Sequence, residues 1–286
     1  MKAGTRRIIR IFTRNRLTAV ALGVALALII LSIVGPAIAP HDPVRPKLDA
    51  ALQPGFWAGN SEHILGTDNL GRDIFSRLLY GAGISLRIGY SVIGVTALIG
   101  VTIGLISGYF GGRVDIIVMR IFDILLAFPP LLLALAIVAV LGTGMENAMM
   151  AIVIVYVPAV ARIARGSVLS VKELPFIEAS RAMGAGNVWI MVGHVLPNIL
   201  TPVVVYLTLL LGDAILYTAA LGFLGIGIDP ALPEWGAMLS GGRDFLLVGK
   251  WWITVFPGLM IFLAVLSFNL LGDGLREALD PKLRLR

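Results

Sequence analysis

The 286-residue sequence contains no cysteine, which excludes disulfides and thiolate metal sites. Its three histidines, His41, His63 and His194, stand far apart with no ligand spacing, and loop positions suit them better than metal ligation. Charge is scarce too: 14% of the residues are charged, against about 25% in a soluble domain. A chain that is 58% hydrophobic cannot cover itself with polar surface in water, so lipid must be part of its solvent. Nucleotide chemistry lacks its apparatus. No G-x-x-x-x-G-K-[ST] loop occurs; Gly249-Lys250 is followed by Trp251, which offers magnesium no hydroxyl. Neither a G-x-S-x-G elbow nor an H-E-x-x-H pair occurs, which argues against an α/β-type hydrolase or a zinc protease. No catalytic residue, cofactor or metal is expected.

What is present is a series of apolar runs with charge at their ends. The net charge of +6 forms no basic domain, so nucleic acid is not an expected partner. Residues 1–16 carry Lys2, Arg6, Arg7, Arg10, Arg14 and Arg16 and no acid. A first apolar run, residues 17–39, is long enough to cross a hydrocarbon core of ~30 Å. Ala37-Ile38-Ala39 resembles a signal-peptidase site, yet signal-peptide apolar regions span only about 7–15 residues, so a retained helix is expected.

Residues 40–84 are polar and proline-bearing and read as an external loop. Within it Thr67 or Asp68 is placed to cap a turn. Ile74, Leu78 and Leu79 predict a short amphipathic helix at the membrane interface. Further apolar runs cover about Ser85–Gly108, Ile116–Leu141, Ala148–Ile163, Ile199–Gly222 and Trp251–Leu271. The expected fold is therefore all-α and polytopic, with six transmembrane helices and a core over residues 85–272. Gly100, Gly104 and Gly108 put three small residues on one helix face, suited to close packing. Pro129-Pro130, Pro158 and Pro257 interrupt runs where neighbouring helices or cavity water must satisfy freed carbonyls. Most of the 23 Lys and Arg residues fall on one side if the N-terminus is cytoplasmic. That side includes Arg113, Arg120, Arg162, Arg165, Lys172 and Arg181, and the tail 273–286 with Arg276, Lys282, Arg284 and Arg286.

The longest moderately polar interval between apolar runs lies within residues 168–198. Pro175 fits a first helical turn and Gly184 a helix end. Ala179, Ala182 and Met183 share one small apolar face, and Glu178 and Arg181 are spaced to pair on another. Asn187 is placed to cap a second helix, and Pro197 marks the start of the next.

Glu178-Ala179-Ser180, then Gly184, then His194-Val195-Leu196-Pro197 resemble the EAA loop of bacterial ABC importer permeases. In that family the loop docks on a separate ATPase subunit, so Glu178, Ala179, Ser180, Arg181, Gly184, His194, Leu196 and Pro197 are implied to couple to it. Ser180 departs mildly, since the family often has Ala there. The run H-x-L-G-T-D-x-x-G-R-D-x-x-S-R-L from His63 is similar to peptide and nickel importer permeases. The stretches GDAILYTAALGFLGIGIDPALPEWGAML and NLLGDGLREALDPKL resemble the dipeptide branch, closest to its second permease. Recognisable similarity runs from about Arg6 to Leu283.

The resemblance implies a non-catalytic subunit in a bacterial inner membrane, with both termini cytoplasmic. Its implied partners are a second related permease, two ATP-binding subunits and an external binding protein that delivers dipeptides or short oligopeptides. Nickel chelates, glutathione or another small solute fit the same architecture. An intramembrane hydrolase would need a serine/histidine pair or paired aspartates within helices, but the histidines fall in loops and Asp213 has no second carboxylate at matching depth. An ATP-independent carrier would have no use for the Glu178–Pro197 element. Asp213 is the acid set well inside an apolar run, at a cost of about 2.5–3.5 kcal/mol. Two roles fit it: lining the pathway to meet a peptide ammonium, or pairing with Thr218 or a basic residue. Pairing is favoured, because tight binding in a pore slows release; Gly212 beside it permits close backbone approach under either role.

Overall fold

The computed structural model describes residues 16–279; Arg16 apart, the basic N-terminal stretch lies outside the described residues, as do Lys282, Arg284 and Arg286. In chain order the helices are α1 (Arg16–Ile38), α2 (Ile74–Phe110), α3 (Gly112–Leu126), α4 (Pro130–Leu141) and α5 (Met145–Val171). They continue with α6 (Pro175–Ala182), α7 (Asn187–Ile190), α8 (Leu196–Phe223), α9 (Trp235–Leu246) and α10 (Trp252–Leu279). No strand forms among the described residues. Lipid supplies no hydrogen bonds, so each crossing must satisfy its own backbone, and helices do so. Five segments are long and apolar enough to cross a bilayer: α1, α2, α5, α10 and the run Asn187–Phe223 that contains α7 and α8. The α3–α4 pair, bent by 97°, makes a sixth if counted as one broken span.

The expected segment Ile116–Leu141, interrupted by Pro129-Pro130, is thus two helices. Pro130 has no N–H, and a residue preceding a proline is driven to extended backbone, here Pro129 at ψ 128°. Pro36, Pro158, Pro202 and Pro257, by contrast, are carried inside their helices.

The expected short interfacial helix is also revised. Ile74, Leu78 and Leu79 are the first turns of α2, which runs unbroken for 37 residues, and all three are buried. Their cover comes from residues distant in sequence. Trp235, fully buried, packs on this patch and its indole donates to the Leu78 carbonyl at 3.3 Å. Asp68 caps a turn as expected, its carboxylate accepting from the Leu70 and Arg72 amides, each at 2.9 Å, and the N-cap of α2 is Asp73, whose carboxylate accepts from the Ser76 amide and hydroxyl, each at 2.7 Å. Thr67 instead donates to the Ala50 carbonyl, while Asp68 holds Arg72 Nε at 2.7 Å.

Residues 39–73 form no helix beyond two single 3₁₀ turns, Leu48–Ala50 and Phe56–Ala58. Backbone bonds from Lys47 to Leu70, Leu52 to Asp68 and Thr67 to Gln53, all 2.9 Å, fold this segment on itself. Arg77 pins it to the bundle. Its buried guanidinium donates to the carbonyls of Pro43 (2.6 Å), Leu232 (3.3 Å) and Ala231 (3.4 Å), with Asp68 at 3.7 Å as counter-ion. Nearby, Glu234 caps α9 by accepting from the Ala237 amide at 2.8 Å and from the Ser85 hydroxyl at 3.2 Å. Burial pushes its carboxyl above the ordinary carboxylate range.

α2 and α5 share the most extensive helix contact. The glycine face explains it. A Cβ added at Gly100 would lie 2.9 Å from Val160, at Gly104 2.4 Å from the Ala161 carbonyl, and at Gly108 2.9 Å from Val168. Backbone is packed directly on the neighbouring helix. α1 lies against α2 and α10, and α8 against α5 and α10.

Replacing Gly104 by Leu is expected to separate α2 from α5, costing about 1–3 kcal/mol or more. Gly94 has no atom within 4 Å of an added Cβ, so Gly94→Ala serves as the control. Thermal unfolding of the purified chain in detergent should show a lower Tm for the first and an unchanged one for the second.

Candidate coupling element and membrane-embedded polar site

The interval singled out in the sequence folds as a helical hairpin at the end of α2 and α5. Pro175 opens α6, where its missing N–H costs nothing. Gly184 ends it at φ 88°, a left-handed conformation that favours glycine. The Ala185 amide bonds back to the Ser180 carbonyl at 3.1 Å and the Gly184 amide to Arg181 at 2.9 Å, closing the last turn. After Gly186 the chain re-enters helix as α7, passes through a π-helical turn at Met191–Val195 and continues into α8. Pro197 therefore sits in the first turn of α8, yet the helical path does not restart there.

The inner face is dry. Ile177, Ile190, Val195 and Ile199, each fully buried, pack with Leu105 and Tyr109 of α2 and Ala164 and Val168 of α5. Polar contacts add direction. The Tyr109 hydroxyl lies 3.0 Å from Asn187 Oδ1 and donates to it, and the Arg181 guanidinium lies over the Tyr109 ring, 5.5 Å from its centre. Lys172 donates to the Gly108 carbonyl at 3.1 Å. Close by, Arg165 forks onto Asp115 with two 2.5 Å contacts, and the Ser107 hydroxyl donates to the same carboxylate.

The outer face is bare and apolar. Met183 (81% exposed), Val188 (68%), Trp189 (58%) and Val192 are all open, as are Phe176 and Leu174. A concentration of large exposed apolar groups on a polar segment marks an interaction surface.

Glu178, Ala179 and Arg181 are exposed on α6, and with them Ala182 and Met183. Glu178 and Arg181 form no ion pair; Arg181 takes the Tyr109 ring instead. Asn187 does not cap α7, because Gly186 holds the N-cap position and Asn187 is committed to Tyr109. Ser180 turns inward, buried, its hydroxyl donating to the Phe176 carbonyl at 2.8 Å. The departure from alanine at this position is therefore turned away from the outer face. His194 is half-buried, its ring edge-on to Trp189 at 4.4 Å, and Leu196 packs partly buried against the inner cluster. Tyr109, the hub of this arrangement, was not among the residues that sequence reasoning selected; an aromatic at the end of an apolar run carries no signal of its partners.

Asp213 is half-buried on α8. Thr218 is not its partner, because that hydroxyl donates to the Ala214 carbonyl at 2.7 Å. Among the described residues no basic side chain forms a salt bridge with it; its electrostatic neighbours are Tyr156 and Tyr206. Tyr156 is buried, its hydroxyl has no hydrogen-bond partner among the described residues, and its ring lies 6.0 Å from that of Tyr217. Close approach at Gly212 is real: an added Cβ would lie 2.8 Å from Asn269 Oδ1 on α10.

Long apolar helices, with a hairpin whose inner face is buried in an apolar cluster and whose outer face exposes large apolar side chains, fit a membrane transport subunit. Residues 100–285 match the family described as binding-protein-dependent transport system inner membrane component, and the chain belongs to it. Residues 5–54 match the N-terminal TM domain of oligopeptide transport permease C. The chain is 45% identical over 271 residues to the dipeptide transport system permease protein DppC of Alkalihalophilus pseudofirmus, covering 95% of this chain and 88% of that one. It is 44% identical to the di/tripeptide transport system permease protein DppC of Pseudomonas aeruginosa, covering 96% and 90%. The glutathione transport system permease protein GsiD of Escherichia coli is also 44% identical, with 96% and 89% covered. In fold the chain is similar to one in the inward-facing MetNI methionine ABC transporter, with a TM-score of 0.56, 23% identity, and 71% of this chain and 96% of that one covered.

An alanine at Gly184 meets no atom within 4 Å, so its effect is confined to the backbone. Holding a Cβ in the left-handed region costs roughly 1–2 kcal/mol. Hydrogen exchange in Gly184→Ala is expected to quicken across residues 175–190 and to stay unchanged in α2.

Proposed function

We propose that this chain forms one half of the translocation pathway of an ATP-driven importer of short peptides. The proposed assembly adds a second related permease, two ATP-binding subunits that hydrolyse ATP, and an external binding protein that hands over the cargo. The observation that carries the coupling role is the hairpin: a buried inner face locked to α2 and α5 beneath a bare outer face with Met183, Val188 and Trp189. An ATPase closing on that face would move the hairpin as one body and drive the ends of α2, α5 and α8 with it. Glu178, Ala179 and Arg181 present the contact; Gly184, His194, Leu196 and Pro197 shape it; Ser180 supports it from within. The proposed topology places both termini and this hairpin in the cytoplasm and residues 40–84 outside.

The peptide cargo is supported by the likeness to the two DppC permeases, and Asp213 fits it. A half-buried carboxylate with no cationic partner among the described residues, beside tyrosines, offers a passing peptide ammonium both charge and ring faces. The likeness to GsiD supports glutathione as a second reading.

Reconstitution of the complete importer with its own binding protein separates the readings. Labelled dipeptide is expected to enter ATP-dependently and in preference to glutathione; the reverse preference moves the assignment to the second reading, and uptake of neither rejects both. In the same vesicles Glu178→Lys should assemble but lose at least tenfold of its cargo-stimulated ATP hydrolysis; normal stimulation would remove the docking role. Asp213→Asn should retain that hydrolysis while uptake falls more for peptides with a free N-terminus than for N-acetylated ones. An equal fall for both would take Asp213 out of the pathway.

A further inference from the structure

His41 and His63, both within the segment that joins α1 to α2, come together with ring centres 4.7 Å apart. We propose that they form, with Glu62, a binding site for one divalent transition cation of the zinc type. Ligand atoms of the three side chains all lie within 4.8 Å of one another.

The chemistry of each ligand is set by its surroundings. His63 is buried, and its Nδ1 lies 3.0 Å from Asp73 Oδ1. A carboxylate only accepts hydrogen bonds, so the proton sits on Nδ1 and the Nε2 lone pair is free. That Nε2 is the atom 3.8 Å from Glu62 Oε1. A histidine fixed in tautomer and orientation by a carboxylate is the usual supporting arrangement for an imidazole metal ligand. Asp73 is itself held by Ser76, so the support is rigid. On the other side, the His41 amide donates to the Ser76 hydroxyl at 3.0 Å, which fixes that residue's backbone. Its ring Nδ1 is buried and, among the described residues, has no hydrogen-bond partner, with Asp73 Oδ2 at 3.7 Å. A buried ring nitrogen without a partner is a cost that a cation coordinated through that same Nδ1 offsets.

Glu62 is exposed and touches Lys47 Nζ at 3.4 Å, a surface pair of little energetic weight that a metal displaces. Tetrahedral coordination at 2.0–2.2 Å sets neighbouring ligand atoms about 3.4 Å apart. The observed spread therefore has to close by at most about 1.4 Å, within reach of the exposed Glu62 side chain. Two imidazoles and one carboxylate select zinc, nickel, cobalt or copper over magnesium and calcium, which prefer all-oxygen sets. Three protein ligands leave the fourth position to water. A cavity of about 660 Å³, with His41, His63 and Asp73 in its wall, gives the ion access. Bound there, the ion ties the end of α1 to the start of α2.

The test uses the tag-free full chain in detergent, stripped with chelator and titrated with Zn²⁺ against a chromophoric competitor. His194 is the one other histidine in the sequence and cysteine is absent, so rival ligands are few. One Zn²⁺ per chain is expected, undisturbed by excess Mg²⁺, with at least tenfold weaker binding in both His41→Ala and Glu62→Gln and unchanged binding in His194→Ala. Both informative variants alter side chains that are partly or largely exposed and leave the His63–Asp73 pair intact. Absence of stoichiometric binding, or equal affinity in wild type and both variants, would overturn the site.

Discussion

The contact between the glycine face of α2 and the backbone of α5 is the constraint on which the rest of the bundle depends. Association of helices in lipid gains nothing from excluding water, so close packing and polar contacts must supply it. Gly100, Gly104 and Gly108 permit that closeness over the half of α2 that approaches the hairpin. Were the two helices a side chain further apart, Leu105 and Tyr109 would no longer share a cluster with Ala164 and Val168. Ile177, Ile190 and Val195 of the hairpin are buried in that same cluster, so its position is a consequence of the glycine contact.

At the other end of α2 the logic is electrostatic. Arg77 is buried and donates to carbonyls of two separate loops, with Asp68, itself held by Arg72, as its nearby counter-charge. Removing a partner from a buried charge costs far more than a surface pair contributes. One long helix is therefore fixed at one end by a satisfied cation and at the other by tight apolar packing. A rigid rod held in this way transmits displacement between its ends.

Much of this was legible in the sequence, for reasons tied to particular residues. Apolar runs in lipid must be helices, so the crossings were readable; Pro129-Pro130 breaks its run, whereas Pro158 and Pro257, which read the same way, stay inside their helices. Pro175 and Gly184 delimited α6 because backbone chemistry alone fixes both positions. What escaped depends on residues distant along the chain. The start of α2 read as an interfacial helix because nothing local shows that Trp235 covers Leu78. The expected Glu178–Arg181 pair loses to the ring of Tyr109, and Asn187 leaves the capping role for the same tyrosine. The meeting of His41 with His63 needs the fold of residues 39–73 and has no counterpart in their spacing.

The bend at Pro129 also bears on the membrane around the protein. α4 has twelve residues and rises only about 18 Å, well short of a hydrocarbon core of ~30 Å. Its outer residues Leu132, Val140 and Leu141 are nevertheless exposed and apolar. Where lipid meets this flank, the acyl chains must shorten to match the helix, at a fraction of a kcal/mol for each ångström of mismatch. Bilayer thickness thereby becomes a force on the α3–α4 corner, one that stiff, long-chained lipids raise and thin ones relax.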